Sequence, residues 1–344
     1  MIDLEAFRDM IGESGAVCAR GGGTRWKFGG PSAEGTKEVI APSGIEHHDP
    51  AEMTVRVGAA TPLSQLHDLL REHGQETTLD GPIGCTVGGV LAVGRSSLRR
   101  GRVGALTESL LQADCVGANG MVFTAGGPTV KNVAGYDVSR LTTGAMGTLG
   151  VILDVSIRVH PLPESEKTLC YELTEEEALK KMNKVSGRPL PLTGACYYQG
   201  VLSLRLSGSV EGVSAAVDVL GGSQVSGSES IWAALRDHSH PYFISDKPLW
   251  RLSLPSVAGS LDLAGETFIE WGGALRWLQS ELSPDLIRAS VEALGGHATL
   301  FRGGDRSGSV FHPNPRALHE LNVRLKRTFD PDGILNPGRL YPDI

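Results

Sequence analysis

The stretch CARGGGTRWKFGG, Cys18 to Gly30, decides how this chain is read. Glycine lets a backbone turn its N–H groups towards an anion or lie close against a flat ring. In Arg20-Gly21-Gly22-Gly23-Thr24, successive amides can form a concave nest for phosphate, and Thr24 adds a hydroxyl donor. The spacing is not the G-x-G-x-x-G of a dinucleotide-binding βα turn, and no suitably placed acidic residue follows to hold a ribose. Alone, the run reads equally well as a surface loop. Two further glycine-dense loops change that balance: DGPIGCTVGGVLA (Asp80 to Ala92) and GAMGTLGVI (Gly144 to Ile152). Thr86 and the amides around Gly88 and Gly89 can meet a second face of a pyrophosphate, and the last loop can hydrogen-bond a ring edge through its main chain. Taken singly, each also fits a helix–strand junction that needs close packing. Together, each beside a strand-like run, they predict one extended anionic ligand gripped from several sides. A flavin dinucleotide is such a ligand.

At 344 residues, 40% hydrophobic and 21% charged, the composition is that of a globular protein of two or three domains. Its 45 glycines follow no period, which excludes a collagen-like or solenoid chain. The net charge of −7 argues against nucleic acid as a partner. Five cysteines stand far apart without a C-x-x-C pair, so the chain offers neither an iron–sulfur nor a structural zinc site, and a reducing cytoplasm is expected. No apolar run approaches the roughly 18 residues of a membrane span, so membrane contact is expected only through partners.

Periodicity predicts a short amphipathic helix over residues 3 to 12 and strands over 16 to 19, 39 to 40 and 53 to 57. A helix follows with Thr61 as its cap, Leu63, Leu66 and Leu70 as its stripe and Gly74 as its end. Strands at 109 to 116 and 121 to 124 are joined through Asn119-Gly120, and 151 to 159 alternates until Pro161 and Pro163. Beyond that pair, strands at 168 to 173 and 195 to 206 with helices at 175 to 185 and 213 to 220 predict a ferredoxin-like α+β unit. A last helix over 315 to 329 carries Leu318, Leu321, Leu325 and Phe329 into the tail DPDGILNPGRLYP.

RGGGT, GPIGCTVGG, GGPTVKNVAGYDVSRLTTGAMGTLGVI and FDPDGILNPGRLYP, in that order, resemble the vanillyl-alcohol oxidase/p-cresol methylhydroxylase (PCMH) type of FAD-binding fold. PLTGACYY, LWRLSLPS, FIEWGGALRWL and GGHATLFRGGD sharpen the resemblance to the FAD-binding subunits of bacterial glycolate oxidase. It implies an α+β chain with a two-lobed PCMH-type FAD-binding domain (1–163), a cap domain (164–295) and a C-terminal segment returning to the FAD domain (296–344). The implied activity is oxidation of glycolate, or a related small 2-hydroxy acid, to glyoxylate. Electrons would pass through FAD to an iron–sulfur subunit, beside a homologous flavoprotein subunit, in the cytoplasm and peripherally at the inner membrane. An assembly scaffold and a self-sufficient D-2-hydroxyacid dehydrogenase are the alternatives.

The same resemblance implies FAD contacts at Arg20, Gly21, Gly22, Gly23 and Thr24, at Gly81, Pro82, Thr86, Val87, Gly88 and Gly89, and at Ser96 and Gly104. Gly150, Val151, Ile152, Asn336 and Arg339 complete the set, with Lys131, Tyr136 and Arg339 as catalytic candidates on the flavin side. A cation beside the flavin N1–C2=O edge stabilises the reduced anionic ring, which gives Lys131 or Arg339 an electrostatic reason to sit there. Lys131, Tyr136 and Asp137 read equally well as an internal polar cluster, and Arg339 as a surface arginine.

Departures from the related enzymes are equally informative. Thr24 stands where covalent relatives often carry histidine, and Cys85 is one residue out of register with a flavin-linked cysteine, so noncovalent FAD is expected. The metal-binding G-H-x-G-D-G-N-x-H of D-2-hydroxyacid dehydrogenases is reduced to Gly296-His297-Ala298-Thr299, and His238 and His240 have nothing nearby to complete a site, so no metal is expected. Arg95, Arg99, Arg100 and Arg102 form a basic cluster that suits FAD phosphates, a partner surface or solvent, and Trp271 and Trp277 suit a cleft or a core.

Overall fold

A computed structural model describes residues 15–127 and 137–344. The helix expected over residues 3 to 12 lies outside the described residues, as do Lys131 and Tyr136. The chain divides into two compact units. One gathers the residues up to Ser97, Ala105–Leu162 and Ser307–Ile344, and the other Leu98–Gly104 and Pro163–Arg306.

In the first unit, β1 (Val17–Ala19) pairs in parallel with β2 (Lys37–Val39). β3 (Ile45–Asp49) and β4 (Thr54–Gly58) follow, then α1 (Leu63–Glu72), β5 (Gln75–Glu76) and α2 (Val87–Val93). After α3 (Arg100–Val103), which folds with the second unit, come β6 (Leu110–Val116), β7 (Val122–Gly126), α4 (Val138–Thr142), β8 (Val151–Arg158) and β9 (His160–Pro161). The main sheet runs β3-β4-β8-β6-β7 and is antiparallel throughout. Strand alternation puts Val55, Val57, Val155 and Ile157 on one face, where Leu63, Leu66 and Leu70 of α1 share their core. Each such buried side chain contributes about 1.5–3 kcal/mol. A separate small core joins Val17 and Val39 to Val116, Val151 and Leu335. Thr61 does not cap α1. Its hydroxyl is held by Gly44, accepting from the amide at 2.8 Å and donating to the carbonyl at 3.2 Å.

The opposite face of this sheet is polar. Pairing of β6 with β8 sets Asp114 directly across from Asp154. Arg56 on β4 bridges both, at 2.6 and 2.8 Å, and reaches Glu46 at 2.8 Å. Burial pushes the Asp154 carboxyl up to about 6 from its ordinary 3.8, with Arg56 pulling it down and Asp114 and Glu46 pushing it up. A folded-state value above the unfolded one gives stability that is complete below the unfolded pKa and is lost as pH rises through the folded one. Between pH 5 and 7 the wild type is therefore expected to lose about 1 kcal/mol relative to Asp154→Asn. Denaturant melts of the two proteins across that range check this, and parallel curves count against it.

The second unit opens with β10 (Ser165–Glu172), α5 (Glu175–Ser186), β11 (Leu192–Tyr198), β12 (Val201–Gly208), α6 (Val210–Leu220) and β13 (Ser223–Gln224). Their order in the sheet, β13-β10-β12-β11, is that of a split βαβ unit, as the pattern of strands and helices predicts. The sheet does not stop there. After α7 (Glu229–Asp237) come β14 (Leu249–Ser253), β15 (Glu266–Glu270), β16 (Leu275–Gln279), α8 (Pro284–Glu292) and β17 (His297–Arg302). β15 pairs with the open edge of β11, and the sheet continues β15-β16-β14-β17 to eight strands. Because β17 pairs with β14, residues 296–306 fold with this unit, and the segment that rejoins the first unit begins at Ser307.

Trp232, Trp250 and Trp277 are buried in this unit, and Trp277 donates to Glu270 Oε1 at 3.0 Å. His238 stacks on Phe243 with centroids 4.2 Å apart, and His240 Nδ1 accepts from the Tyr242 amide at 3.2 Å, so packing and a turn engage that pair. Helix α9 (Arg316–Phe329) and the tail complete the first unit.

Candidate functional site

The three glycine loops, all in the first unit, meet one another. A Cβ at Gly22 would lie 1.7 Å from the Gly84 carbonyl oxygen, and one at Gly21 would lie 2.2 Å from Thr86 Oγ1, so the first loop rests directly on the second. The third loop closes on the end of α2, where the amides of Gly144 and Met146 donate to Leu91 and Ala92 at 2.9 and 2.8 Å. Met146 takes the left-handed conformation there, with φ of 52°. Between the loops lies a cavity of about 680 Å³, and a second of about 450 Å³ shares Arg20, Gly21, Thr86, Gly89 and Met146 with it.

The C-terminal segment forms part of this wall. Leu335 bridges Val17 in parallel, Val17 donates to Ile334 at 2.7 Å, and the Asn336 amide returns to Val17 at 2.8 Å. Lys326 and Asp330 hold the turn from inside. The Lys326 ammonium reaches Asp330 at 2.6 Å and the carbonyls of Thr148 and Leu335 at 3.0 and 2.6 Å. The Asp330 carboxylate accepts from Ile334 and Leu335 at 3.0 and 2.7 Å. Burial lowers the Lys326 pKa against the pull of Asp330. Arg339 is 5% exposed and is no surface arginine. Its guanidinium donates to the carbonyls of Trp26 and Phe28 at 2.8 and 2.9 Å and to that of Gly30.

Of the residues expected to bind cofactor, Arg20, Gly21, Gly22, Gly23, Thr24, Pro82, Thr86, Gly89, Asn336 and Arg339 line the larger cavity. Gly88 and Ile152 line the smaller one. Gly81, Val87, Ser96, Gly150 and Val151 line neither cavity, and Gly104 belongs to the second unit. Val87 is fully buried in the core, and Gly81 has no room for a Cβ beside Cys85 Sγ, 2.7 Å away.

The amides at the start of α2 are already used. Val87 donates to Thr61 at 3.0 Å, Gly88 to Ala59 at 2.8 Å and Gly89 to Thr86 Oγ1 at 3.2 Å. The second loop therefore offers a close backbone surface rather than a second amide nest. Asp137 pairs with Arg140 at 2.6 Å on a half-exposed helix start. The basic cluster splits between the units. Arg95 lines the cavity, whereas Arg100 lies over Trp271 in the second unit, 5.3 Å from the ring centroid. Trp26, Arg25, Met146 and the pair Ala59-Ala60 also line the cavities. Arg25, Trp26 and Met146 lie inside the glycine-dense stretches, whereas Ala59-Ala60 carried no signal in the sequence.

The donor set suits a doubly charged anion. Four arginines (Arg20, Arg25, Arg95 and Arg339) line the larger cavity with no carboxylate among the described residues. The amides of Gly21, Gly22, Gly23 and Thr24 donate to no protein acceptor among the described residues. Arg339 Nε and Asn336 Oδ1 are buried there and likewise lack a partner among the described residues. Buried polar atoms are rarely left unmatched, so these point to a ligand. The glycine loops also leave the close backbone cradle that a Cβ would fill. These features fit a dinucleotide pyrophosphate with a ring system beyond it.

Residues 5–126 match the model of the FAD binding domain family. The glycolate oxidase subunit GlcE of Escherichia coli is 36% identical over 344 residues, covering 99% of this chain and 97% of that one. A D-lactate dehydrogenase of Archaeoglobus fulgidus is 31% identical over 179 residues, 51% of this chain and 40% of that one. The glycolate oxidase subunit GlcD of Bacillus subtilis is 33% identical over 110 residues, 31% of this chain and 23% of that one. Among solved structures, alkyldihydroxyacetonephosphate synthase superposes with a TM-score of 0.67 at 15% identity, covering 98% of this chain and 75% of that one. That likeness concerns the fold. Among the described residues no helix is long and apolar enough to cross a membrane.

Proposed function

The chain belongs to the family of the glycolate oxidase subunit GlcE, and from that premise we propose that it holds FAD noncovalently in the arginine-lined cavity as part of a glycolate-oxidising complex. Its cofactor is FAD, and it is an FAD-dependent oxidoreductase subunit acting on 2-hydroxy acids. The observation that carries the placement is the convergence of the glycine loops on a cavity with unspent donors.

In this reading the amides of Gly21 to Thr24 hold the pyrophosphate, with Arg20 as its counter-charge. Pro82, Thr86 and Gly89 press against its other side, and Gly88 and Ile152 flank a ring in the smaller cavity. Asn336 and Arg339 face the cofactor from the C-terminal return, and Lys131 and Tyr136 of KNVAGYD serve the flavin side. Burial lowers the Arg339 pKa, and an anion beside it would raise it again and offset the cost of burying the charge. Bound FAD supplies a two-electron acceptor that can release electrons singly. The substrate's C–OH becomes C=O as two electrons and two protons leave, giving glyoxylate from glycolate.

The electrons pass to an iron–sulfur subunit, because the five cysteines of this chain include no pair spaced for a cluster. A homologous flavoprotein subunit completes the complex, which works in the cytoplasm and touches the inner membrane only through its partners. Anaerobic addition of glycolate tests the assignment. The purified chain is expected to be yellow, and its band near about 450 nm should bleach in the assembled complex. A correctly folded, colourless chain that takes up no FAD overturns it.

Noncovalent attachment is checked separately. Burial pushes the Cys85 thiol up to about 11, so little thiolate is available to attack a flavin. Acid precipitation is expected to leave all the flavin in the supernatant, and a yellow pellet rules this out.

A further inference from the structure

Arg20 and Arg339 are separated by almost the whole sequence, yet both guanidiniums lie over the indole of Trp26, 4.9 and 5.2 Å from its ring centroid. All three side chains line the larger cavity. Each arginine is anchored elsewhere too. Arg20 makes two bonds to the Glu38 carboxylate, at 2.7 and 2.8 Å, whereas Arg339 holds the backbone carbonyls of Trp26 itself and of Phe28. No carboxylate pairs with Arg339 among the described residues.

Another buried arginine of the chain provides a comparison. Arg276 is also held by carbonyls, but each of its three nitrogens has one: Gly273, Gly259 and Ala258. Arg339 Nε is left without one among the described residues, and Arg339 lines the cavity. Two like charges brought to one site repel. An aromatic face beneath each offsets that by about 0.5–2 kcal/mol. The indole adds to these anchors in keeping both cations beside the cavity.

We propose that Trp26 is a positioning residue for the anionic cofactor, keeping Arg20 and Arg339 beside the cavity and coupling the glycine loop to the C-terminal return. This rests on the FAD reading above. Trp26 does not itself take part in the redox step.

The test uses the full chain stripped of flavin and titrated with FAD and, in parallel, with riboflavin, which lacks the phosphates. Trp26→Leu is expected to weaken FAD about tenfold or more, while Trp26→Phe, which keeps a ring under both cations, stays within about threefold. The preference for FAD over riboflavin should fall with the Leu variant and recover with Phe. Should Trp26→Leu fail to fold, FAD-induced quenching of tryptophan emission, present in wild type and diminished in Trp26→Phe, carries the test. Equal FAD binding by wild type and a folded Trp26→Leu overturns the proposal, as does equal loss of FAD and riboflavin. Wild type that binds no FAD overturns the cofactor reading itself.

Discussion

Gly22→Ala is expected to cost the protein its flavin. The added methyl would start 1.7 Å from the Gly84 carbonyl oxygen, which is main chain and has no rotamer to escape into. The loops must part, and forcing a well-packed site apart costs about 1–3 kcal/mol. At about 1.4 kcal/mol per decade, FAD affinity should fall roughly tenfold to a hundredfold. Flavin content per purified chain, with circular dichroism as the control for folding, is the measurement. Undiminished flavin would mean that the two loops are not what grips the pyrophosphate. Gly22→Asp should be worse, because it adds a negative charge beside an anion. Its first fault, however, is steric, which the sequence alone did not disclose.

The second large effect is expected at Asp330→Ala. It leaves the Lys326 ammonium buried without its carboxylate and the amides of Ile334 and Leu335 without their acceptor. Breaking a buried pair from one side costs about 3–5 kcal/mol. A loss of that size would lower the denaturation midpoint of the first unit well beyond the effect of a surface substitution. It should also release Leu335 from Val17 and so weaken FAD. Protection of residues 330–344 from proteolysis, compared with and without FAD, tests the link. A variant as stable as wild type would show the pair to be dispensable.

What was legible in the sequence follows the physics of each signal. Strand alternation and the Leu63–Leu66–Leu70 stripe report burial of one face, and those elements stand where periodicity puts them. The split βαβ order was readable for the same reason, whereas its continuation to eight strands depends on an edge pairing that leaves no local mark. Glycine density told which segments would bend, and the bends converge. The amide of Gly88 was harder to judge, because its acceptor is the distant Ala59 carbonyl, and that of Gly89 is taken by Thr86 of the same motif acting as helix cap. Trp26 was passed over because an aromatic beside a glycine run has no pattern of its own. Helix α9 inverts its pattern: Lys326 is its one buried residue, while Leu318 and Leu321 are 45% and 44% exposed.

The pairing of Val17 with Leu335 also has a consequence for how the molecule is made. The ribosome finishes every residue of the second unit before it reaches Ser307, so that unit can fold while synthesis continues. The first unit cannot close its β1 edge until Ile334, Leu335 and Asn336 emerge. A product truncated before Leu335 is therefore expected to leave synthesis with the second unit formed and the first still open.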